Sequence, residues 1–304
     1  MELFIFVRIE APEPNYIKNS NYHFLNQQNY LNQNLLELAG KLGRTFLFTN
    51  YVSDENDVIS VIKSGNAFSI PEEIKNKYDW NLFQQLLAQT EALITTKSYI
   101  DLYNRKSTQI QDILIQFEEK GEFSELGKWR ISKGLKRSPD LIILTRSFDF
   151  TIPDDISKSG RQILILSGEK QLRSASARKM SLANVKLFSA GKNGVEGRIL
   201  FEILNRLKYK VVKMTSGPAI FNIMLKTDIL DRIYHTVVKR RIPEENYAEV
   251  LTILENNKVE NLNNFTLIDK FRQEKVQMTD GKICDQEFLI YDNIRLINNL
   301  SYKK

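Results

Sequence analysis

The chain alternates short apolar runs with stretches whose apolar positions recur every three or four residues. Residues 195–238 show this most plainly, reading as helix, strand, tight turn, helix, strand. Leu200, Ile203, Leu204 and Leu207 fall at helical spacing, and Val211, Val212 and Met214 form an apolar run that suits a buried strand. Ser216-Gly217-Pro218 interrupts it. Glycine opens backbone conformations closed to other residues, and proline suits the first turn of a helix. Ile220, Ile223, Met224 and Leu225 mark that helix, and Arg232–Val238 the next strand. A crossover of this kind joins parallel strands.

The same reading extends in both directions. Residues 2–8 read as a first strand and residues 11–34, rich in Asn and Tyr, as an irregular arm. Leu31, Leu35, Leu38 and Leu42 line one face of a short helix. Thr45–Val52 is a strand that ends in the polar turn Ser53-Asp54-Glu55-Asn56-Asp57. Ser69-Ile70-Pro71-Glu72 has the signature of a capping box and predicts a helix start, with Ile74, Tyr78, Leu82, Phe83, Leu86 and Leu87 as the buried stripe. Glu91–Thr95 is a short strand, and Thr96-Lys97-Ser98-Tyr99 begins a helical turn. Residues 103–137 are polar, with a helical patch at Ile110–Phe117, and predict surface decoration. Asp140–Thr145, Gln162–Ser167 and Val185–Ser189 are apolar on both faces, the pattern of strands covered by helices on both sides. Leu172–Met180 reads as a short basic helix. A second polar stretch, 240–264, precedes two strands near Thr266–Phe271 and Glu287–Tyr291. The resulting parse is one α/β domain over residues 45–304, with residues 1–44 as an arm packed on it.

Composition narrows the chemistry. With 304 residues, 42% hydrophobic and 26% charged, the chain can bury a substantial core. Its single cysteine, Cys284, leaves no internal disulfide and suits a reducing, cytoplasmic setting. No apolar run approaches a membrane span, and MELFIFV lacks the basic lead and cleavage pattern of a signal peptide. His23, His235 and Cys284 are too few and too isolated for a metal site. The paired-cysteine deaminase signature, the Walker loop and the Gly-x-Ser-x-Gly elbow do not occur. A net charge of +6 suits an anionic ligand. Lys239-Arg240-Arg241 and Lys303-Lys304 lie among acidic residues and read as solvated surface, so a nucleic-acid partner is not expected.

Four polar turns follow the predicted strands. They are Ser53-Asp54-Glu55-Asn56, Thr95-Thr96-Lys97-Ser98 after Ala92-Leu93-Ile94, Thr145-Arg146-Ser147, and Thr215-Ser216-Gly217-Pro218, with Leu230-Asp231 ahead of the last parallel strand. In this order, over roughly residues 45–291, they resemble the pyrimidine reductase domain of riboflavin biosynthesis, a member of the dihydrofolate-reductase-like superfamily. In that family the corresponding turns read Ser-Leu-Asp-Gly, Gly-x-x-Thr, Thr/Ser-Arg and Glu-Gly-Gly-Pro. The resemblance implies a three-layer α/β fold, with a mainly parallel central sheet, helices on both faces and a C-terminal antiparallel strand pair. It also implies an NADPH-dependent reductase of a pyrimidine- or pteridine-type small molecule, similar to 5-amino-6-(5-phosphoribosylamino)uracil reductase, and pairing of two copies as a homodimer. NADPH would lie against Thr95, Ser98, Thr145, Arg146, Ser147, Ser216, Gly217 and Pro218, with the Arg146 fork directed at the 2′-phosphate. Ser53 would hold substrate, and Glu55 or Asp54 would act on it.

The chain departs from the family where Thr95, Ser216 and Asn56 stand in place of glycines and Thr215 in place of glutamate. Side chains there add bulk beside a cofactor diphosphate. Each candidate also has an ordinary role: a strand-to-helix turn at Ser216-Gly217-Pro218, a helix cap at Ser98, a solvated charge at Arg146, a turn acid at Glu55. The alternative is a diverged, non-catalytic relative that binds a ligand or a protein, with 103–137 and 240–264 as added surface.

Overall fold

The computed structural model describes residues 6–8, 29–62, 68–105, 117, 122–178, 180, 184–255 and 257–301. Its strands in chain order are β1 (Phe6–Arg8), β2 (Phe46–Ser53), β3 (Val58–Ile62), β4 (Ala92–Thr96), β5 (Asp140–Leu144) and β6 (Ile163–Ser167). β7 (Val185–Ser189), β8 (Val211–Met214), β9 (Arg232–Val238), β10 (Glu249–Thr252), β11 (Phe265–Gln277) and β12 (Ile283–Asn293) follow. The longer helices are α1 (Leu35–Leu42), α2 (Lys77–Ala88), α3 (Lys97–Asn104), α4 (Ser124–Ser132), α5 (Gly197–Arg206), α6 (Pro218–Lys226) and α7 (Ile294–Ser301).

The main sheet has the order β1-β11-β12-β9-β2-β8-β4-β5-β6-β7. From β9 to β7 every pairing is parallel. β12, β11 and β1 extend it antiparallel. β3 and β10 form a separate antiparallel ribbon.

Side chains of the central strands are buried on both faces, so helices must cover both. One face carries Leu47, Ile94, Ile142, Val212 and Ile233 and packs on Leu200, Ile203 and Leu204 of α5 and Phe221 and Met224 of α6. The other carries Phe46 and Phe48 under α1 and α2, and Leu93, Leu141 and Ile143 against α2 and α3. Each such side chain contributes about 1.5–3 kcal/mol by its removal from water. The result is the three-layer, mainly parallel α/β architecture expected from the sequence, with β11 and β12 as the C-terminal antiparallel pair.

Three expectations are corrected. The helix expected at Ser69 begins instead at Lys77, where Asn76 Oδ1 accepts from the amides of Tyr78 and Asp79 at 3.0 Å each. Ser69 pairs with Val61 in an isolated bridge. β7 is not covered on both faces, because it is the sheet's edge, with Lys186 and Leu187 exposed. Neither polar stretch is only surface. Phe117 and Arg130 are buried in the first, and Ile242, Ile253, Leu254 and Val259 in the second. The helical patch at 110–116, the start of the strand at 2–8 and most of the 1–44 arm lie outside the described residues.

Candidate functional site

The parallel strands all end on one edge of the sheet, β2 and β9 running past β8, and register fixes which residues stand there. Met214 of β8 pairs with Thr49 of β2 and with Ile94 of β4. One residue further on are Asn50 on β2, Thr95 on β4 and, just past the end of β8, Thr215. Strand alternation sends all three toward the face covered by α2, as it does Lys213 one step deeper and Thr236 on β9. Asn50 Oδ1, Thr95 Oγ1 and Thr215 Oγ1 are buried and have no hydrogen-bond partner. Beside them Ser216 Oγ is also buried and unpartnered. Buried polar atoms are nearly always paired, so a level row of bare ones is a candidate point of contact for water or a bound group.

Asp79, in the first turn of α2, lies on the same side of the sheet, against Thr236. Its Oδ1 accepts from Thr236 Oγ1 at 2.6 Å. Burial pushes its carboxyl up to about 6, against the opposing pull of Thr236 and Lys213. Lys213 is fully buried, with its ammonium nitrogen 3.3 Å from the Phe83 ring centre and 3.3 Å from the Phe83 carbonyl. Burial drives it well below the usual lysine range toward the neutral amine, and Asp79 only partly opposes this. An acid that titrates near 6, beside a suppressed lysine, can hold or pass a proton. Neither residue was singled out from sequence. A lone lysine inside the apolar run Val211–Met214 was the available signal, since a charge is rarely buried in a strand covered on both faces.

The expected cofactor residues gather around the same strand ends. α3 starts directly after β4 and α6 directly after β8, and neither Thr96 nor Gly217 makes a side-chain cap bond at the start of its helix. Two helix N-termini with unsatisfied amides therefore open side by side, an arrangement that attracts anions. Ser98 and Arg146 are exposed beside them. Thr145 is buried and exchanges hydrogen bonds with the amide and carbonyl of Ser147, whose hydroxyl bonds to Asp149. Lys97 pairs with Asp101 at 3.3 Å and Asp149 at 3.1 Å. Gly217 and Pro218 are half-buried, and Tyr51 donates to the Ser216 carbonyl at 3.0 Å. A Cβ placed on Gly217 would meet nothing nearer than Leu251 Cδ2 of β10, at 3.9 Å. The fold itself does not demand glycine there. The bare hydroxyls, the paired helix starts and the open side of Gly217 fit a phosphate-bearing dinucleotide.

Ser53, Asp54 and Glu55 are not brought into this group. β10 runs between them and Gly217, with Leu251 at one end and the Ile253 amide donating to the Asp57 carbonyl at the other. Ser53 is fully buried and contacts His235. The Asp54 carboxylate accepts from the amides of Asn56, Val58 and Ile242 at 2.8–2.9 Å, which holds the β2–β3 turn closed. Glu55 is exposed and borders a separate cavity on the opposite face of the sheet. Among the described residues no cluster of three metal-ligating side chains occurs, and no helix is long and apolar enough to cross a membrane.

An α/β protein with its polar site at the carboxyl ends of parallel strands follows the general rule for ligand placement in such sheets. Comparison with solved structures narrows the fold further. A pyrimidine reductase-like protein of Corynebacterium diphtheriae superposes with a TM-score of 0.57 at 16% identity, over 84% of this chain and 94% of that one. The riboflavin biosynthesis reductase of Saccharomyces cerevisiae gives 0.52 at 13% identity, over 86% and 96%. The bifunctional diaminohydroxyphosphoribosylaminopyrimidine deaminase/5-amino-6-(5-phosphoribosylamino)uracil reductase of Thermotoga maritima gives 0.51 at 11% identity, over 82% of this chain and 57% of that one. The chain thus shares the fold of these pyrimidine reductases. No family model and no curated protein matches its sequence.

Proposed function

We propose that the protein is an NADPH-dependent reductase of a pyrimidine- or pteridine-type small molecule. The observation that carries this reading is the level row of unpartnered buried atoms on Asn50, Thr95 and Thr215, on the side of the sheet that carries Asp79. Bound NADPH would supply the hydride. Its diphosphate would rest against the starts of α3 and α6, on Thr95, Ser98, Ser216, Gly217 and Pro218, with Thr145, Arg146 and Ser147 along its nucleotide end. The flat heterocycle would lie under α2, where Asn50 and Thr215 meet its polar edge. Asp79, with a carboxyl near 6, would deliver the proton that a ring nitrogen takes up on reduction. Thr236 fixes the carboxyl's orientation through its 2.6 Å hydrogen bond. The reading is of a small-molecule enzyme, with a homodimer expected from the family resemblance.

Melting in the presence of NADPH or NADH tests it, since a ligand that binds only the folded chain raises the melting temperature. A shift with NADPH supports the reading. No shift with either cofactor at millimolar concentration overturns it. The second reading, a non-catalytic binding module, draws on Leu251 of β10, which packs beside Gly217 where a diphosphate would approach. Leu251→Ala separates the two. If trimming that side chain lets NADPH raise the melting temperature where the wild type shows no rise, β10 acts as a cover and the wild type is the binding module.

A further inference from the structure

On the sheet face opposite Asp79, a cavity of about 200 Å³ opens between β9, β12, the turn at residues 54–57 and the single-turn helix Val259–Asn261. Val237, Val259, Leu289 and Tyr291 form its apolar walls. Two of its lining residues carry a buried polar atom with no partner: Asp57 Oδ2 and His235 Nδ1, on residues 5% and 3% exposed.

The hydrogen-bond network assigns the tautomer of the histidine. Ser53 has one hydroxyl proton, which it donates to the Asp54 carbonyl at 2.9 Å. The 2.8 Å contact between Ser53 Oγ and His235 Nε2 is therefore donated by the ring. Nε2 carries the proton, and Nδ1 is a bare acceptor. The ring stays neutral, because burial, with Lys239 and Lys258 adding to it, pushes it down to about 3. Asp57 sits 3.8 Å from the same ring, with φ of 62°, a left-handed conformation that Asp tolerates better than most residues. Burial pushes its carboxyl up to about 6, with Lys258 and the Val259 amide opposing and Glu260 and Asp54 reinforcing the rise.

The surrounding charges leave acceptors in excess. Lys239 pairs with Glu287 at 2.7 Å, and Lys258 donates to the Glu55 carbonyl at 3.1 Å. Glu55 and Glu260 add further carboxylates to the lining. A ligand that satisfied both bare atoms must bring donors to each, and apolar walls suit a ring. We propose that this cavity is a binding site for a small planar cation with paired N–H donors, of the amidinium or protonated amino-heterocycle class. One N–H would meet the Asp57 carboxylate and the other His235 Nδ1. The site lies on the other side of the sheet from the reductase residues and does not depend on them.

Benzamidine is the probe, and benzoate presents the same ring with the opposite charge. With only two histidines in the chain, His23→Gln leaves His235 as the single imidazole for ¹⁵N spectroscopy of the full-length protein. Benzamidine is expected to shift the His235 Nδ1 resonance toward a hydrogen-bonded position and to raise the melting temperature. Benzoate is expected to do neither. Asp57→Asn should weaken benzamidine binding by about tenfold or more, through loss of a charge-assisted hydrogen bond, and leave any NADPH-induced melting shift unchanged. A Nδ1 signal unmoved by benzamidine, equal binding of benzoate, or equal binding by the folded variant would overturn the proposal. The comparison of the two probes on unaltered Asp57 decides the matter if the variant does not fold.

Discussion

Replacing Asp79 by asparagine separates what a buried acid costs from what it does. Burial raises its carboxyl from 3.8 to about 6. Between those values the folded chain holds a proton that the unfolded chain has lost. Stability therefore falls as pH climbs from about 3.8 to about 6 and stays low above that window. The displacement corresponds to about 3 kcal/mol at pH 7. Asparagine retains an Oδ1 to accept from Thr236 and carries no charge to desolvate. Lys213, driven toward its neutral form by burial, is not left as a bare buried cation. D79N is thus expected to exceed the wild type in stability by up to about 3 kcal/mol at pH 7, roughly 5 °C in melting temperature for a chain of this length. The gain should fall below about 1 kcal/mol at pH 4. Asp57 has the same raised carboxyl in both proteins, so the difference between them isolates Asp79. Urea unfolding at a series of pH values reads that difference directly. Equal or lower stability of the variant at pH 7, or a gain that persists unchanged at pH 4, would show the reasoning to be wrong.

Other substitutions test neighbouring parts of the argument. Arg130→Met removes hydrogen bonds to the carbonyls of Leu87, Ala88 and Thr90 at the end of α2 and to those of Lys136 and Arg137. A loss of about 3 kcal/mol in chemical denaturation is expected, and an unchanged midpoint would mean that α2 does not rely on it. Thr236→Val takes away the donor to Asp79 and should push that carboxyl above its present value of about 6, which ¹³C-detected titration of Asp79 reads. A lowered value would contradict the assignment of Thr236 as donor. Ser216→Gly removes a buried hydroxyl that has no partner and gives the α6 start a bare backbone. Its NADPH-induced melting shift should be smaller than that of the wild type, and a larger shift would show that the Ser216 side chain obstructs the diphosphate instead of contacting it.

Much of the fold could be read from the sequence because the decisive strands are buried on both faces. β5 and β6 require nearly continuous apolar runs, and such runs stand out from any register. The glycine turn at 216–218 was legible for the same reason, being flanked by a strand and an amphipathic helix. Features set by a partner elsewhere in the chain were not. Ser69 through Glu72 satisfies a capping pattern, yet Ser69 is held by Val61 and the helix waits for Asn76. β10 has only Glu249–Thr252, and its partner β3 lies far upstream. Asp79 reads as an ordinary acid in a first helical turn, where the helix dipole favours it. Only the packing of α2 on β8 and β9 turns it into a buried group. Asp54 shows the converse: a plausible catalytic carboxylate on paper, occupied by three backbone amides in the folded chain.

The position of β8 bears on how the molecule assembles. It lies between β2 and β4, although residues 211–214 come long after both in the chain. Until that short segment has been synthesised, the two earlier strands have no common neighbour, and each presents an open edge of unpaired amides and carbonyls. The middle of the sheet is therefore completed by contacts of high sequence separation, which makes for slow folding. A nascent chain halted before residue 211 would expose the two stickiest edges of the molecule, and those edges are where chaperones or other nascent chains would meet it first.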